Sequence, residues 1–422
     1  MNTLKIDVIK DGQPLSAKLC QYYGLDGRDF KISYDAAAGR NLTFANFVGI
    51  VRKGDRLLAS LPKHYADVEQ FSDLSYRDKV GEIKLIMSSV LEYNLSSEYR
   101  TYANSDDLES NFSLSSFYRI YDYYQKYGLY HEDDQRITRG YKGNISWKKT
   151  IKKSHKLIGG GNLIFTPFYV RKHQNNENLI TQAMVFAINY TVQLFGDFLD
   201  LPSNSRIASR GIDNIFLANT DKIIGQLNVL QSHIFKDADK ALVMNLIIFL
   251  REANTGSFET KYIKQYDYAN LWEKAVEKYL NGHFAGLNQD GHQLLFGTEH
   301  SSDEGMRFTK LSDNGYNLAH PGWRLEPDHY WLDESTNTQY IFDSKYYTKL
   351  TDLNHKQLVY HFLFRKRAAR TVDALIMPEE GETRTEKYVD LNNDWLPEAD
   401  QDIAILLTHL NAKDVIQCFV QH

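Results

Sequence analysis

Glu326 to Tyr347 reads EPDHYWLDESTNTQYIFDSKYY, two apolar-bearing stretches on either side of the polar turn ESTNT. If that turn centres on Ser335 and Thr336, antiparallel pairing sets Asp328 opposite Asp343, with Cα atoms roughly 4.5–5.5 Å apart. Side chains alternate along a strand, so Asp343 and Lys345 share a face while Ser344 points the other way. Two carboxylates and an ammonium then converge on one small volume. Tyr340-Ile341-Phe342 gives the second strand a core character, and a core strand that ends in three polar residues asks for a functional reason.

Converging acids raise each other's pKa unless something positive lies between them. A hard divalent cation resolves the conflict, and Mg²⁺ takes one or two carboxylates while keeping several waters. Such an ion polarises a phosphoryl oxygen and lowers the pKa of a bound water, and a lysine can hold that water or the developing charge. The expected chemistry is metal-assisted hydrolysis of a phosphodiester. A glycoside hydrolase also pairs acids, but it needs one carboxyl raised as a proton donor, and a neighbouring lysine suits a metal better. Asp-x-Lys alone carries little weight, because Glu82-Ile-Lys84 and Glu259-Thr-Lys261 match its looser form. The weight comes from Pro327-Asp328, the one Pro-Asp of the chain, at the start of the opposing strand.

Working outward, residues 266–284 show Leu271, Trp272, Ala275, Val276, Tyr279 and Leu280 at helical spacing, with Glu273 and Glu277 one turn apart. Strands are expected around 294–297, 306–311, 327–332 and 340–346. A helix over about 353–369 and a strand over 371–377 follow, so the C-terminal third reads as α/β with a mixed sheet. Near the other end, FVGIV (47–51) and RLLASL (56–61) flank Gly54 as a hairpin, and 76–93 has a helical period. Residues 95–111 are polar and expected to form a loop. The tyrosine-rich run over 112–130 reads as a helix packed by aromatic bodies, with too few cations for a base-stacking platform. WKKTIKKSHK (147–156) is the most basic stretch, either a solvated face or a phosphate-contacting patch. Gly159-Gly160-Gly161 after it lacks the Lys-Ser/Thr of a phosphate loop. Residues 181–252 look largely helical. The expected organisation is a β-rich module over 1–125, a basic and helical linking region over 126–255, and a domain over 256–422 whose mixed sheet is flanked by helices.

Pro327-Asp328 followed by Asp343-Ser344-Lys345-Tyr346-Tyr347 resembles the PD-(D/E)xK nuclease signature. In particular it is similar to McrC-like and LlaJI-type restriction endonuclease subunits, with Ser344 where alanine is commoner. The segments VGIVRKGDRLLASLPKHY and GNISWKKTI are also similar to LlaJI-family sequence. The resemblance implies that Asp328, Asp343, Lys345, Glu273 and Gln357 carry catalysis. It implies Mg²⁺, for which Mn²⁺ can substitute, held by Asp328, Asp343, Ser344 and Glu273, with Glu277 as the reserve acid. Lys356-Gln357 and Tyr360 resemble the helix that follows the lysine in these nucleases. The substrate implied is double-stranded DNA. The implied partner is a McrB-like AAA+ GTPase that recognises the DNA, is stimulated by this subunit and binds its N-terminal module; together they would defend against phage or foreign DNA. Two other readings stay open: a regulatory subunit that drives the partner's GTP hydrolysis without cutting, and a repair nuclease of the same superfamily.

Composition limits the rest. Lys and Arg total 49 against 54 Asp and Glu, a net charge of −5 over 422 residues, so bulk charge does not grip nucleic acid. A nuclease brought to DNA by a partner needs little grip of its own. Cys20 and Cys418 cannot build a disulfide framework, a zinc ribbon or a four-cysteine iron–sulfur site, which excludes the repair nucleases that carry one. The opening MNTLKIDVIKDGQPL has no apolar signal region, and the apolar run 241–250 is too short to span a bilayer. A cytoplasmic protein without a membrane segment is expected. Arg365, Lys366, Arg367 and Arg370 offer either helix C-terminal charge complementarity or a phosphate track. His329 follows Pro-Asp but faces away from Asp328 and is expected to be structural.

Overall fold

Val48–Lys53 and Arg56–Leu61 pair antiparallel about Gly54, whose φ of +60° suits the turn. The computed structural model describes residues 4–35, 39–94, 107–176, 178–199, 201, 213–254, 260–297, 307–396 and 403–421. This hairpin is the centre of a five-stranded sheet. Lys5–Lys10 adds parallel to one side, and Thr260–Gln265 then Leu108–Ser110 add antiparallel to the other. Thr260–Gln265 approaches so closely that a Cβ on Gly49 (φ +147°) would stand 2.2 Å from the Ile263 carbonyl oxygen, so only glycine fits there. The core of this sheet includes Phe47, Val51, Leu58, Tyr23 and Tyr266.

The second five-stranded sheet runs in the order His329–Asp333, Thr338–Ser344, Arg370–Glu379, Ala404–Asn411, Arg384–Asp390. Its three inner strands are parallel and its edges antiparallel. Both faces of a parallel strand are covered, which explains the unbroken apolar runs Ala374–Met377 and Ile405–Leu407. Helix His355–Phe364 crosses between parallel neighbours and buries Tyr360 and Phe364 against Ile341. Helix Tyr268–His283 buries all six apolar residues expected from its period. Behind the hairpin, Phe284, Phe308, Trp331, Tyr340 and Phe342 pack mainly edge to face.

The fold is mixed α/β, as the pattern of the C-terminal third requires. Both sheets belong to one compact unit, Met1–Ser110 with Asp197–Asp200 and Ser257–His422, while Asn111–Gly196 with Leu201–Gly256 forms the other. Strand Thr260–Gln265 completes the N-terminal sheet, which joins the two sheets in one unit.

The second unit contains helices Leu114–Tyr127, Leu179–Phe195, Thr220–Gln231 and Asp237–Asn254, with Phe112, Phe117, Phe186 and Phe249 buried. The basic stretch forms helix Trp147–Lys153 and the first strand of the hairpin His155–Gly159/Asn162–Thr166, and the glycine run makes its turn. No described helix is long and apolar enough to cross a membrane.

Three local expectations are corrected. The expected 306–311 strand is absent over its described residues, 307–311, apart from a single bridge from Thr309 to Tyr330. The Arg307 and Phe308 amides donate instead to the Asn281 side chain. The helix expected to reach 369 ends at Phe364, and the Ala369 and Arg370 amides turn to the Asn337 carbonyl in the hairpin turn. Within the expected 95–111 loop, Leu108–Ser110 is an edge strand, and 95–106 lie outside the described residues.

Candidate active site

The hairpin has the register that a turn at Ser335-Thr336 demands: His329 opposes Phe342 and Asp333 opposes Thr338. One step further out, Asp328 faces Asp343. Both are buried, Asp343 completely. The Ser344 amide donates to Asp328 Oδ2 at 3.0 Å, tying the start of one strand to the end of the other. Lys345 Nζ pairs with Asp343 Oδ2, and Lys356 Nζ lies 3.4 Å from Oδ1.

The two acids are driven apart electrostatically. Burial, the Asp343 charge and Glu273 push Asp328 up to about 7, and its carboxyl donates a hydrogen bond to Asp343. Burial also works to raise Asp343, but the ammonium groups of Lys345 and Lys356 outweigh it and hold this carboxyl below its usual range. One acid therefore keeps its proton toward neutrality while its neighbour stays ionised.

The other expected site residues fall into place unequally. Glu273 lies within electrostatic reach of Asp328 and is ion-paired with Lys310 at 2.9 Å. Glu277 is turned to Lys274 on its own helix, at 3.2 Å. The Ser344 hydroxyl is 2.7 Å from His329 Nε2, so its side chain points away from the acid pair. His329 is wholly buried, and burial pushes it down to about 3, leaving it neutral as a structural partner. Gln357 stands apart. It is completely buried, and its amide donates to the Ile341 carbonyl at 2.7 Å and to Asp373 Oδ1 at 3.1 Å. It braces the backbone two residues before Asp343 rather than facing the pair.

Lys356 and Lys310 enter the site without having been picked out as site residues from sequence. A signal existed for Lys356. Gln357, Tyr360 and Phe364 share one helical face, at spacings of three and four, so a core-facing Gln357 turns its neighbour off that face. Lys310 had no such signal, because a tertiary contact brings it to Glu273. In the arginine cluster, Arg367 is tied to Asp313 and lies 4.5 Å over the Phe364 ring.

Among the described residues, no three His, Cys, Asp or Glu side chains stand close enough to hold an ion by themselves. Two converging buried carboxylates, one forced to keep its proton, do suit a hard cation that needs one or two carboxylates and retains its waters.

These features define an α/β protein with a buried acid pair and an ammonium at the end of a hairpin. The chain belongs to the LlaJI restriction endonuclease family, whose model matches residues 47–290, more than half of its length. The match includes Glu273 and stops short of Asp328. Over 99% of this chain and 98% of the other, it is similar at 13% identity and a TM-score of 0.38 to a chain of the Thermococcus gammatolerans half-complex of McrB AAA+ hexamers with bound McrC. Over 64% of this chain and 85% of the other, it is similar at 13% identity and a TM-score of 0.24 to a chain of the McrBC complex of the same organism. No curated protein matches it.

Proposed function

We propose that this restriction-endonuclease family member is the Mg²⁺-dependent nuclease subunit of a two-component system, cutting double-stranded DNA when an AAA+ GTPase partner recruits it. The observation that carries the reading is the buried Asp328–Asp343 pair with Lys345 against it. Asp328 and Asp343 hold the ion, with Glu273 as the nearby accessory acid. When bound, Mg²⁺ supplies charge for the scissile phosphoryl oxygen and acidifies a coordinated water. Lys345 orients the attacking water and offsets the charge that develops on the phosphate. Lys356 keeps Asp343 ionised, and Gln357 holds the strand beneath it. Ser344 fixes Asp328 through its amide.

The GTPase partner is supported by two features of the sequence: it has no phosphate loop of its own, and its net charge of −5 leaves DNA capture to another chain. The experiment is cleavage of duplex DNA by the reconstituted complex with GTP and Mg²⁺. Asp343→Ala and Lys345→Ala are expected to abolish cutting while GTP hydrolysis continues. Undiminished cutting by either variant overturns these roles. GTP consumption with no nicking by wild type, in Mg²⁺ or Mn²⁺, would favour the purely regulatory reading.

A further inference from the structure

Lys345 sits in a mechanically weak place. The hairpin strand ends at Ser344, and the last sheet bond beyond it is from the Lys345 amide to the Ile376 carbonyl, at 2.8 Å. From Tyr346 onward the chain leaves the sheet: Tyr346 is buried with its ring 5.3 Å from that of Tyr268, and Tyr347 is half-exposed beside a cavity of about 300 Å³. Strand ends without ladder partners open easily.

The missing hold comes from the other sheet of the same unit. At the end of Arg56–Leu61, the Lys63 amide donates to the Tyr346 hydroxyl at 2.7 Å, and Lys63 Nζ donates to the Tyr346 carbonyl at 3.3 Å. The same ammonium lies 4.6 Å over the Tyr346 ring. His64 Nε2 is 3.2 Å from the Tyr347 carbonyl and 3.1 Å from that of Thr348. Carbonyls only accept, so this nitrogen carries the proton and bridges both. His64 does this from φ +55°, a left-handed conformation that costs a non-glycine residue about 1 kcal/mol or more and persists where its surroundings dictate it.

We infer that Lys63 and His64 are positioning residues: they clamp the backbone just after Lys345 and so set its ammonium against Asp343. The clamp couples the N-terminal sheet to the acid pair. A partner that loads the N-terminal sheet therefore has a direct mechanical route to the lysine. The inference rests on the nuclease reading above, and the test separates the two.

The variant is His64→Gly, which accepts the positive φ without strain and removes only the bridge. In the metal-free full chain, exchange of the Lys345 amide, the last one bonded to the sheet, is expected to quicken about tenfold or more, while the hairpin 329–343 is unchanged. In the complex with partner, GTP, Mg²⁺ and duplex DNA, kcat is expected to fall about 10- to 100-fold with KM for DNA held, the penalty of a misplaced group. His64→Gln, whose amide reaches the same carbonyls, restores most of it. Wild-type exchange and kcat in His64→Gly overturn the clamp, and so does quickened exchange throughout the hairpin, which would mark a general loss of structure. If Lys345→Ala itself cuts like wild type, the nuclease reading fails instead.

Discussion

Replacing Asp328 by asparagine removes a carboxyl whose proton the fold holds to about pH 7. Asparagine keeps an oxygen for the Ser344 amide, so the change is electrostatic rather than geometric. An acid with a raised folded pKa binds its proton more tightly in the native state. Native stability therefore falls as pH rises from the unfolded value of 3.8 to about 7, and the loss is complete above that. Roughly three units at 1.36 kcal/mol each put the loss at up to about 4 kcal/mol. The difference in unfolding free energy between wild type and Asp328→Asn, followed in EDTA from pH 4 to 8, reads the titration of the interacting Asp328–Asp343 pair. A cation reverses the preference, because a metal ligand must give up its proton. At pH 6 an acid of pKa about 7 carries roughly 0.9 proton and at pH 8 roughly 0.1, and Mg²⁺ binding should release these amounts. Calorimetry in two buffers of different ionisation enthalpy measures the release, and Asp328→Asn should show almost none. Parallel stability curves, or equal proton release by variant and wild type at pH 6, would refute the reasoning.

Other consequences follow from neighbouring contacts. Lys356→Met removes one of two cations from buried Asp343 and should slow cleavage of duplex DNA by the reconstituted complex about tenfold, less than Lys345→Ala. Glu273→Gln should lower cleavage because its carboxylate acts on Asp328, whereas Glu277→Gln, paired with Lys274, should cut like wild type. Gln357→Leu leaves the Ile341 carbonyl and Asp373 without their amide donor and should cost about 1–3 kcal/mol in chemical unfolding. Gly49→Ala forces a methyl onto the Ile263 carbonyl and should lower the unfolding temperature sharply or prevent folding.

The hairpin was legible because its information is local. Period-two alternation and a short polar turn fix the register, and the register alone brings Asp328 to Asp343. The face of helix Tyr268–His283 was legible for the same reason, since one helical period names all its buried residues. What could not be read depends on distant chain. Leu108–Ser110 is polar enough to pass for loop, yet it pairs with Thr260–Gln265, about 150 residues away. Residues 307–311 have a strand's composition, but Asn281 takes their amides first. Within the site, the acid pair and Lys345 came from spacing, while Lys310 and the Lys63–His64 clamp come from contacts that no local pattern encodes. Gln357 shows the opposite hazard: a motif resemblance points to catalysis, and burial gives the side chain to the backbone beneath.

The central claim is that Asp328 and Asp343 together hold the ion used to cut DNA. Its most direct test is a crystal of the full chain grown with Mn²⁺ and measured at the manganese absorption edge. The account predicts an anomalous peak shared by the two aspartate carboxylates, lost in Asp343→Ala. A peak held by other residues, or none at this pair in a preparation that cuts DNA with its partner, would contradict it.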